Sequence, residues 1–302
     1  MNRRTFLKDV LLWSAGMGIP VLDITDVFAA ASQPAIVKVT GSSYPELVAR
    51  AIENLGGAQR FISSGDSVVI KPNIGWDRKP EQGANTHPEV VKKLVELALD
   101  AGASKVKLFD YTCNEKRRCY VNSGIKDVID GFGDKRVRLE HIDNRKFIEV
   151  DIKKGRSLKR WEIYRDALDA DVYINVPVAK HHGLSRLTLG LKNSMGVIGG
   201  SRGSLHFNIG QKLADLATVV RPTLTVIDAT RMLLRNGPQG GNIKDVKIAD
   251  TIVASVDPVA ADAYATTLFG MQPEEIASTK AAYKMGLGEM NLDKMDIREL
   301  TL

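Results

Sequence analysis

The chain is predicted to adopt an α/β fold: a largely parallel twisted sheet with flanking helices and a small antiparallel insertion. Three observations carry this. Short Val- and Ile-rich runs alternate with longer segments of helical apolar spacing. Runs such as Ser67–Ile70 and Val172–Val176 are almost continuously apolar, the mark of strands covered on both faces. Between residues 135 and 165 the pattern changes to short alternating runs, which read as the antiparallel insertion. The chain has 302 residues, 44% hydrophobic and 26% charged, enough for a substantial core. With no internal repeat and no linker-like stretch, residues 32–302 read as one domain.

Residues 1–31 read as an address rather than as fold. Asn2-Arg3-Arg4-Thr5-Phe6-Leu7-Lys8 resembles a twin-arginine export signal. An apolar stretch follows from Val10 to Leu22, too short and interrupted for a membrane span, and Ala29–Ala31 supply small residues for cleavage. The expected partner is the twin-arginine translocase, and the expected location is periplasmic or otherwise outside the cytoplasmic membrane. No later apolar run is long enough to span a bilayer, so the mature protein is expected to have no stable transmembrane segment.

Ala35–Thr40 reads as the first strand, and Tyr44–Leu55 as a helix stopped by Gly56-Gly57. Ser67–Ile70 is a buried strand ending in Lys71-Pro72-Asn73. A long polar loop leads to a helix through Asp100, with Pro88 in its first turn and Thr86 as its expected N-cap. Val106–Phe109 is the next strand, and Val121–Ile129 a helix. Val137–Ile142, Phe147–Ile152 and Trp161–Tyr164 read as strands of the insertion, followed by a turn of helix over Arg165–Ala170. Val172–Val176 breaks at Pro177 into an expected loop with Lys180, His181 and His182. An apolar segment then carries Lys192 and Asn193 and ends in glycines. Ser204–Val220 reads as one helix, Thr223–Ile227 as a strand, and Ala229–Asn242 as a glycine-rich loop. Thr251–Val256 is a strand, with helices from Asp257 to Phe269 and from Pro273 to Met285.

Each buried strand ends on chemistry. Lys71 and Asn73, then Asp110, then Lys180, His181 and His182, then Asp228, then Asp257 follow five separate buried strands. In an open parallel sheet these ends share one edge, where ligands bind. Asp257, before Pro258, also suits a helix N-cap, and Asp110 and Asp228 also suit turns. Lys71 follows a buried-looking run, Lys180 sits beside two histidines and Lys192 lies in an otherwise apolar segment; an ammonium so placed must be paired, solvated or facing an anion. The expected ligand is therefore a small phosphate- or carboxylate-bearing anion. Glycines at 196, 199, 200, 237, 240 and 241 would let backbone N–H groups approach it, Gly237 and Gly240 foremost. His182 is the expected proton carrier, with Asp228 and Asp262 as orienting carboxylates. Asn73, His87, Thr188 and Asn193 complete the candidate set.

Other classes are disfavoured. A net charge of +6 with 6% aromatic residues and no basic–aromatic stripe gives no nucleic-acid signature. No Walker A motif, no G-x-G-x-x-G after a strand and no G-x-S-x-G elbow is present. Cys113 and Cys119 are the two cysteines, either a disulfide or free thiols, and too few for an iron–sulfur cluster. Histidines 87, 181, 182 and 206 could join Asp228 or Asp262 on a metal, but no pair has the H-x-x-x-H spacing, and the cofactor stays unassigned.

V-V-I-K-P-N (68–73), T-H-P-E-V-V (86–91), the run from Ile174 to Gly196, N-G-P-Q-G-G (236–241) and A-S-V-D-P-V-A-A-D-A (254–263) resemble the recurrent motifs of the domain-of-unknown-function 362 family. The resemblance spans most of the chain beyond its first residues. It implies that Lys71, Asn73, His87, Lys180, His182, Thr188, Lys192, Asn193, Asp257 and Asp262 occupy motif positions, without assigning them chemistry. Many relatives carry a ferredoxin-like segment. With two cysteines this chain departs from them, so no cluster is expected. Three readings follow: an enzyme acting on a small anion, a non-catalytic binding protein for such a ligand, or an accessory redox protein of an exported metalloenzyme.

Overall fold

A computed structural model describes residues 35–302. The twin-arginine segment, residues 1–31, lies outside the described residues. Twelve strands are described: β1 (Ile36–Thr40), β2 (Ser67–Pro72), β3 (Lys105–Leu108), β4 (Val137–Leu139), β5 (Phe147–Asp151), β6 (Arg160–Tyr164), β7 (Val172–Val176), β8 (Val178–His182), β9 (Arg186–Thr188), β10 (Leu224–Leu233), β11 (Val246–Ser255) and β12 (Ile297–Thr301). The helices are α1 (Tyr44–Asn54), α2 (Pro88–Asp100), α3 (Lys116–Asn122), α4 (Ile125–Asp130), α5 (Arg165–Leu168), α6 (Gly190–Asn193), α7 (Ile209–Leu216), α8 (Pro258–Thr267) and α9 (Ala277–Lys284). None of them is long and apolar enough to cross a membrane.

The main sheet runs β12-β1-β11-β10-β7-β2-β3-β4, with β8 and β9 attached beside β10. The stretch from β10 to β4 is parallel, as are β1 with β12 and β8 with β10. Strand β11 is antiparallel to both of its neighbours. The expected insertion is the separate antiparallel hairpin β5–β6. Its loop is tied to α7 by Asp215, whose carboxylate accepts N–H groups of Arg156, Ser157 and Leu158 at 2.7–2.9 Å. Strand β4, expected within the insertion, instead extends the main sheet.

Period-two alternation distributes the core. Val68, Ile70, Val172, Ile174 and Val176 face one side, against Leu47, Val48, Val90, Leu94 and Ile125 of the helices. Val69 and Tyr173 face the other, with Phe109, Ile163, Leu213 and Leu216. Burying each such side chain contributes roughly 1.5–3 kcal/mol. Lys71 and Asn175 follow Val69 and Tyr173 on that second side, and the register pairs them across β2 and β7.

Chain order fixes where a crevice opens. From β2 the chain crosses by α2 to β3, away from β7. From β7 it crosses through α6 and α7 to β10, away from β2. The two crossovers use opposite faces, so the β2–β7 boundary is a topological switch point, and the crevice lies at its carboxyl edge.

Several expected elements are corrected. Lys180, His181 and His182 lie in strand β8, paired with β9, rather than in a loop. The segment 204–220 is broken at Asn208, whose φ of 58° is left-handed. Strand β10 runs on to Leu233, through residues expected as loop. Because β11 is antiparallel, Asp257 emerges at the opposite edge from Lys71; its carboxylate caps α8 through the N–H groups of Val259 and Ala260 at 2.8 and 3.0 Å. The cap of α2 is His87 rather than Thr86, with Nδ1 accepting from the N–H of Glu89 at 3.3 Å.

Candidate functional site

A cavity of about 370 Å³ opens at the switch point, within the range of small-molecule sites. Its wall includes the expected residues Lys71, Asn73, Lys180, His182, Thr188, Lys192 and Asn193, together with Asp110, Cys113 and Arg202. Four lining residues are basic, and Asp110 is the one carboxylate among the described lining residues.

The buried wall is an amide network with every direction fixed. Lys71 donates to Asn193 Oδ1 at 2.7 Å, and Asn73 Nδ2 donates to the same oxygen at 3.0 Å. Asn193 Nδ2 donates to Asn175 Oδ1 at 2.9 Å, and Asn175 Nδ2 donates to the carbonyl of Gly190 at 2.9 Å. Lys71 Nζ also lies 2.8 Å from Asp110 Oδ1, with both side chains almost fully buried. Burial lowers the Lys71 amine, and Asp110 opposes that by favouring the ammonium. Gly196 passes so close that a Cβ there would sit 1.8 Å from Asp110 Oδ1 and 2.4 Å from Lys71 Nζ.

Lys180 Nζ donates to Asn73 Oδ1 at 3.2 Å and to the carbonyl of Ala84. Burial pushes its amine down to about 7, with Lys192 and Lys71 adding to the shift and Asp110 opposing it. Lys192 stands over Met195 Sδ at 3.0 Å, and burial pushes it to about 8, with Arg202 and Lys71 adding. Neither lysine is in an ion pair with a described residue. Arg202 is held by the carbonyls of Tyr111 and Met195 at 3.1 and 3.2 Å and stacks 3.7 Å over the Tyr111 ring. Its guanidinium is likewise without a carboxylate partner among the described residues.

His182 Nδ1 accepts the N–H groups of Leu184 and Ser185 at 3.1 and 3.3 Å. That places the imidazole proton on Nε2, which has no protein partner among the described residues. Burial, then Lys192 and the neighbouring histidines, push the ring down to about 3, so it is neutral at physiological pH. The hydroxyl of Thr188 is buried at the cavity wall without a hydrogen-bond partner among the described residues.

The remaining expected residues lie outside the cavity wall. Asp228 accepts the N–H of His87 at 2.6 Å and both the N–H and hydroxyl of Thr230 at 2.9 and 2.7 Å, so its oxygens are occupied at the base of α2. Asp262 accepts the N–H groups of Gly190 and Leu191 at 2.6 and 3.0 Å, anchoring α6 from behind. Burial pushes its carboxyl up to about 7, against those two N–H groups. Gly237 donates its N–H to His181 Nδ1 at 3.1 Å, and a Cβ there would strike the carbonyl of His181. Gly240 packs on Leu233 with φ of 55°. Neither glycine offers its backbone to the cavity. Cys113 and Cys119 are free thiols, and burial raises Cys119 to about 11. Among the described residues no group of three His, Cys, Asp or Glu is placed to hold a metal ion.

Arg202 lines the cavity and Asn175 joins the amide network behind it, and sequence reasoning passed over both. An amide inside V-Y-I-N-V was the available signal for Asn175. Arg202 lies in a short polar loop with no such mark.

Residues 68–267 match the family model described as "Domain of unknown function (DUF362)". A thylakoid-associated protein of Synechocystis is 28% identical over 250 residues, covering 78% of this chain and 73% of that protein. Two solved structures are similar in fold: a lactate racemase apoprotein from Thermoanaerobacterium thermosaccharolyticum, with 13% identity over 74% of this chain and a TM-score of 0.44, and a Thermotoga maritima protein, with 10% identity over 75% and a TM-score of 0.42. The match covers 54% and 58% of those two chains, just over half of their lengths.

Proposed function

The chain belongs to the DUF362 family, and from that premise we propose that it binds a small anionic ligand, bearing phosphate or carboxylate, in the switch-point cavity. The observation that carries this reading is the charge balance of the wall, four basic side chains against Asp110. Asp110 is engaged by Lys71, which leaves Lys192 and Arg202 to face a ligand's charge, with Lys180 contributing where it is protonated. Each charge-assisted hydrogen bond to such a ligand is worth roughly 1.5–3 kcal/mol, or about ten- to a hundredfold in affinity. His182 donates from Nε2 in this reading and does not cycle a proton, because a ring held near 3 is a weak base at neutrality.

The test is equilibrium binding of inorganic phosphate, citrate and glyoxylate. Saturable binding of at least one is expected, weakened about ten- to a hundredfold by Lys192→Ala and by Arg202→Ala with the circular dichroism spectrum unchanged. No saturable binding of any of the three, or binding indifferent to both substitutions, contradicts the proposal.

We take the protein to reach its compartment by twin-arginine export, with the translocase as partner; support comes from the Arg3-Arg4 run and the apolar stretch behind it. Replacing both arginines by lysine is expected to retain the protein in the cytoplasm on fractionation. Unchanged export of that variant would refute this part.

A further inference from the structure

Lys71 and Lys180 are both buried at the cavity wall, yet their partners differ in kind. Lys71 meets a carboxylate, Asp110, at 2.8 Å. Lys180 meets two neutral acceptors, Asn73 Oδ1 at 3.2 Å and the carbonyl of Ala84. A neutral amine carries two N–H donors and one lone pair, whereas an ammonium carries three donors. Two acceptors satisfy the neutral amine and leave its lone pair unused. Asn73 is held with its Oδ1 towards the amine, because its Nδ2 is committed to Asn193 Oδ1 at 3.0 Å. The wall thus holds one lysine against a carboxylate and another against neutral acceptors, with no counter-charge among the described residues to hold it as an ammonium. Burial favours the neutral amine.

We propose that Lys180 is a nucleophile that condenses with the carbonyl carbon of a small anionic aldehyde or oxo acid held in this cavity, forming an imine. The inference rests on the anion site proposed above and names its substrate class. The Lys180 lone pair adds to the carbonyl carbon, the carbonyl oxygen takes up a proton, and the nitrogen loses one, giving a carbinolamine. A second proton on the hydroxyl lets it leave as water while the C=N bond forms. The balance is one amine, one carbonyl and one proton in, one protonated imine and one water out, with no oxidant or reductant. Lys192, on the same wall, is the proton source: its ammonium is held near 8, charged at neutrality and ready to give up its proton.

The test uses the full chain at pH 7.5 with glyoxylate, 2-oxoglutarate or glyceraldehyde 3-phosphate as the probe and cyanoborohydride to trap any imine. Peptide mass mapping is expected to find saturable labelling at Lys180 ahead of the surface lysines with at least one probe. The wild-type map is decisive in itself, so the result does not depend on a variant folding. Asn73→Asp sets a carboxylate beside the amine and is expected to slow labelling at least tenfold. The rate is expected to rise as Lys180 loses its proton near pH 7 and to fall as Lys192 does near pH 8; Lys71, Asp110 and Cys113 also face the amine. Labelling scattered over surface lysines with Lys180 unmodified by all three probes overturns the inference. If calorimetry with the same probes still shows saturable binding, the imine alone falls. If binding is also absent, the anion site falls with it.

Discussion

At the cavity wall the hydroxyl of Thr188 is buried without a partner among the described residues, which ordinarily costs about 1–3 kcal/mol. A bound anion would supply the missing acceptor. Thr188→Val keeps the shape and removes the hydroxyl. It is therefore expected to leave stability unchanged or slightly raised in denaturant unfolding, while weakening anion binding about tenfold. Lost stability with unchanged binding would assign the hydroxyl to the fold instead. Lys71, Asn73, Lys180, His182, Thr188, Lys192 and Asn193, which the fold gathers at the cavity wall, stood out in the sequence because polar groups in apolar runs demand a reason. His182 was legible as a position but not as a tautomer, since the backbone donors of Leu184 and Ser185 depend on the turn after β8.

At the scale of elements, the site hangs on α6. This single turn carries Lys192 and Asn193, and its first N–H groups are held by Asp262 of α8. Removing that acceptor leaves buried N–H groups unsatisfied. Asp262→Ala is expected to cost about 1–3 kcal/mol in urea unfolding and to weaken anion binding, though Asp262 lies outside the cavity wall; Asp262→Asn, which keeps one acceptor, is expected to fall between. Binding indifferent to both substitutions would detach α6 from the site. The elements most readable in the sequence were those with both period and punctuation, such as α2 behind Pro88 and β7 before Pro177. Strand β8 was missed because V-A-K-H-H lacks apolar alternation and is held by its partners β9 and β10. Strand β11 was found but its direction was not. Local sequence carries no sign of antiparallel pairing, and that direction decided where Asp257 emerges.

On the scale of the whole molecule, chain order places the crevice and packing sets the charge of its wall. The α/β class, the largely parallel sheet and the insertion were legible from alternation. The switch point between β2 and β7 was not, because it follows from strand order, which is set by packing across the whole sheet. The site's electrostatics are also a property of the assembled molecule. Lys180 and Lys192 are pushed to about 7 and 8 by burial, with Lys71 and Arg202 among the neighbouring cations and Asp110 and Cys113 opposing. An anion favours their protonated forms, so its binding must take up protons wherever these amines are partly neutral. Affinity is thus expected to be greatest below pH 7 and to fall as pH rises through about 7 and about 8. The most direct measurement is calorimetric titration of a bound anion, phosphate or citrate, from pH 6.5 to 9 in pairs of buffers with different ionisation enthalpies. The expected result is saturable binding that takes up protons near pH 7.5 and weakens toward pH 9. The contradicting result is no saturable binding, or an affinity flat across the range with the same enthalpy in both buffers.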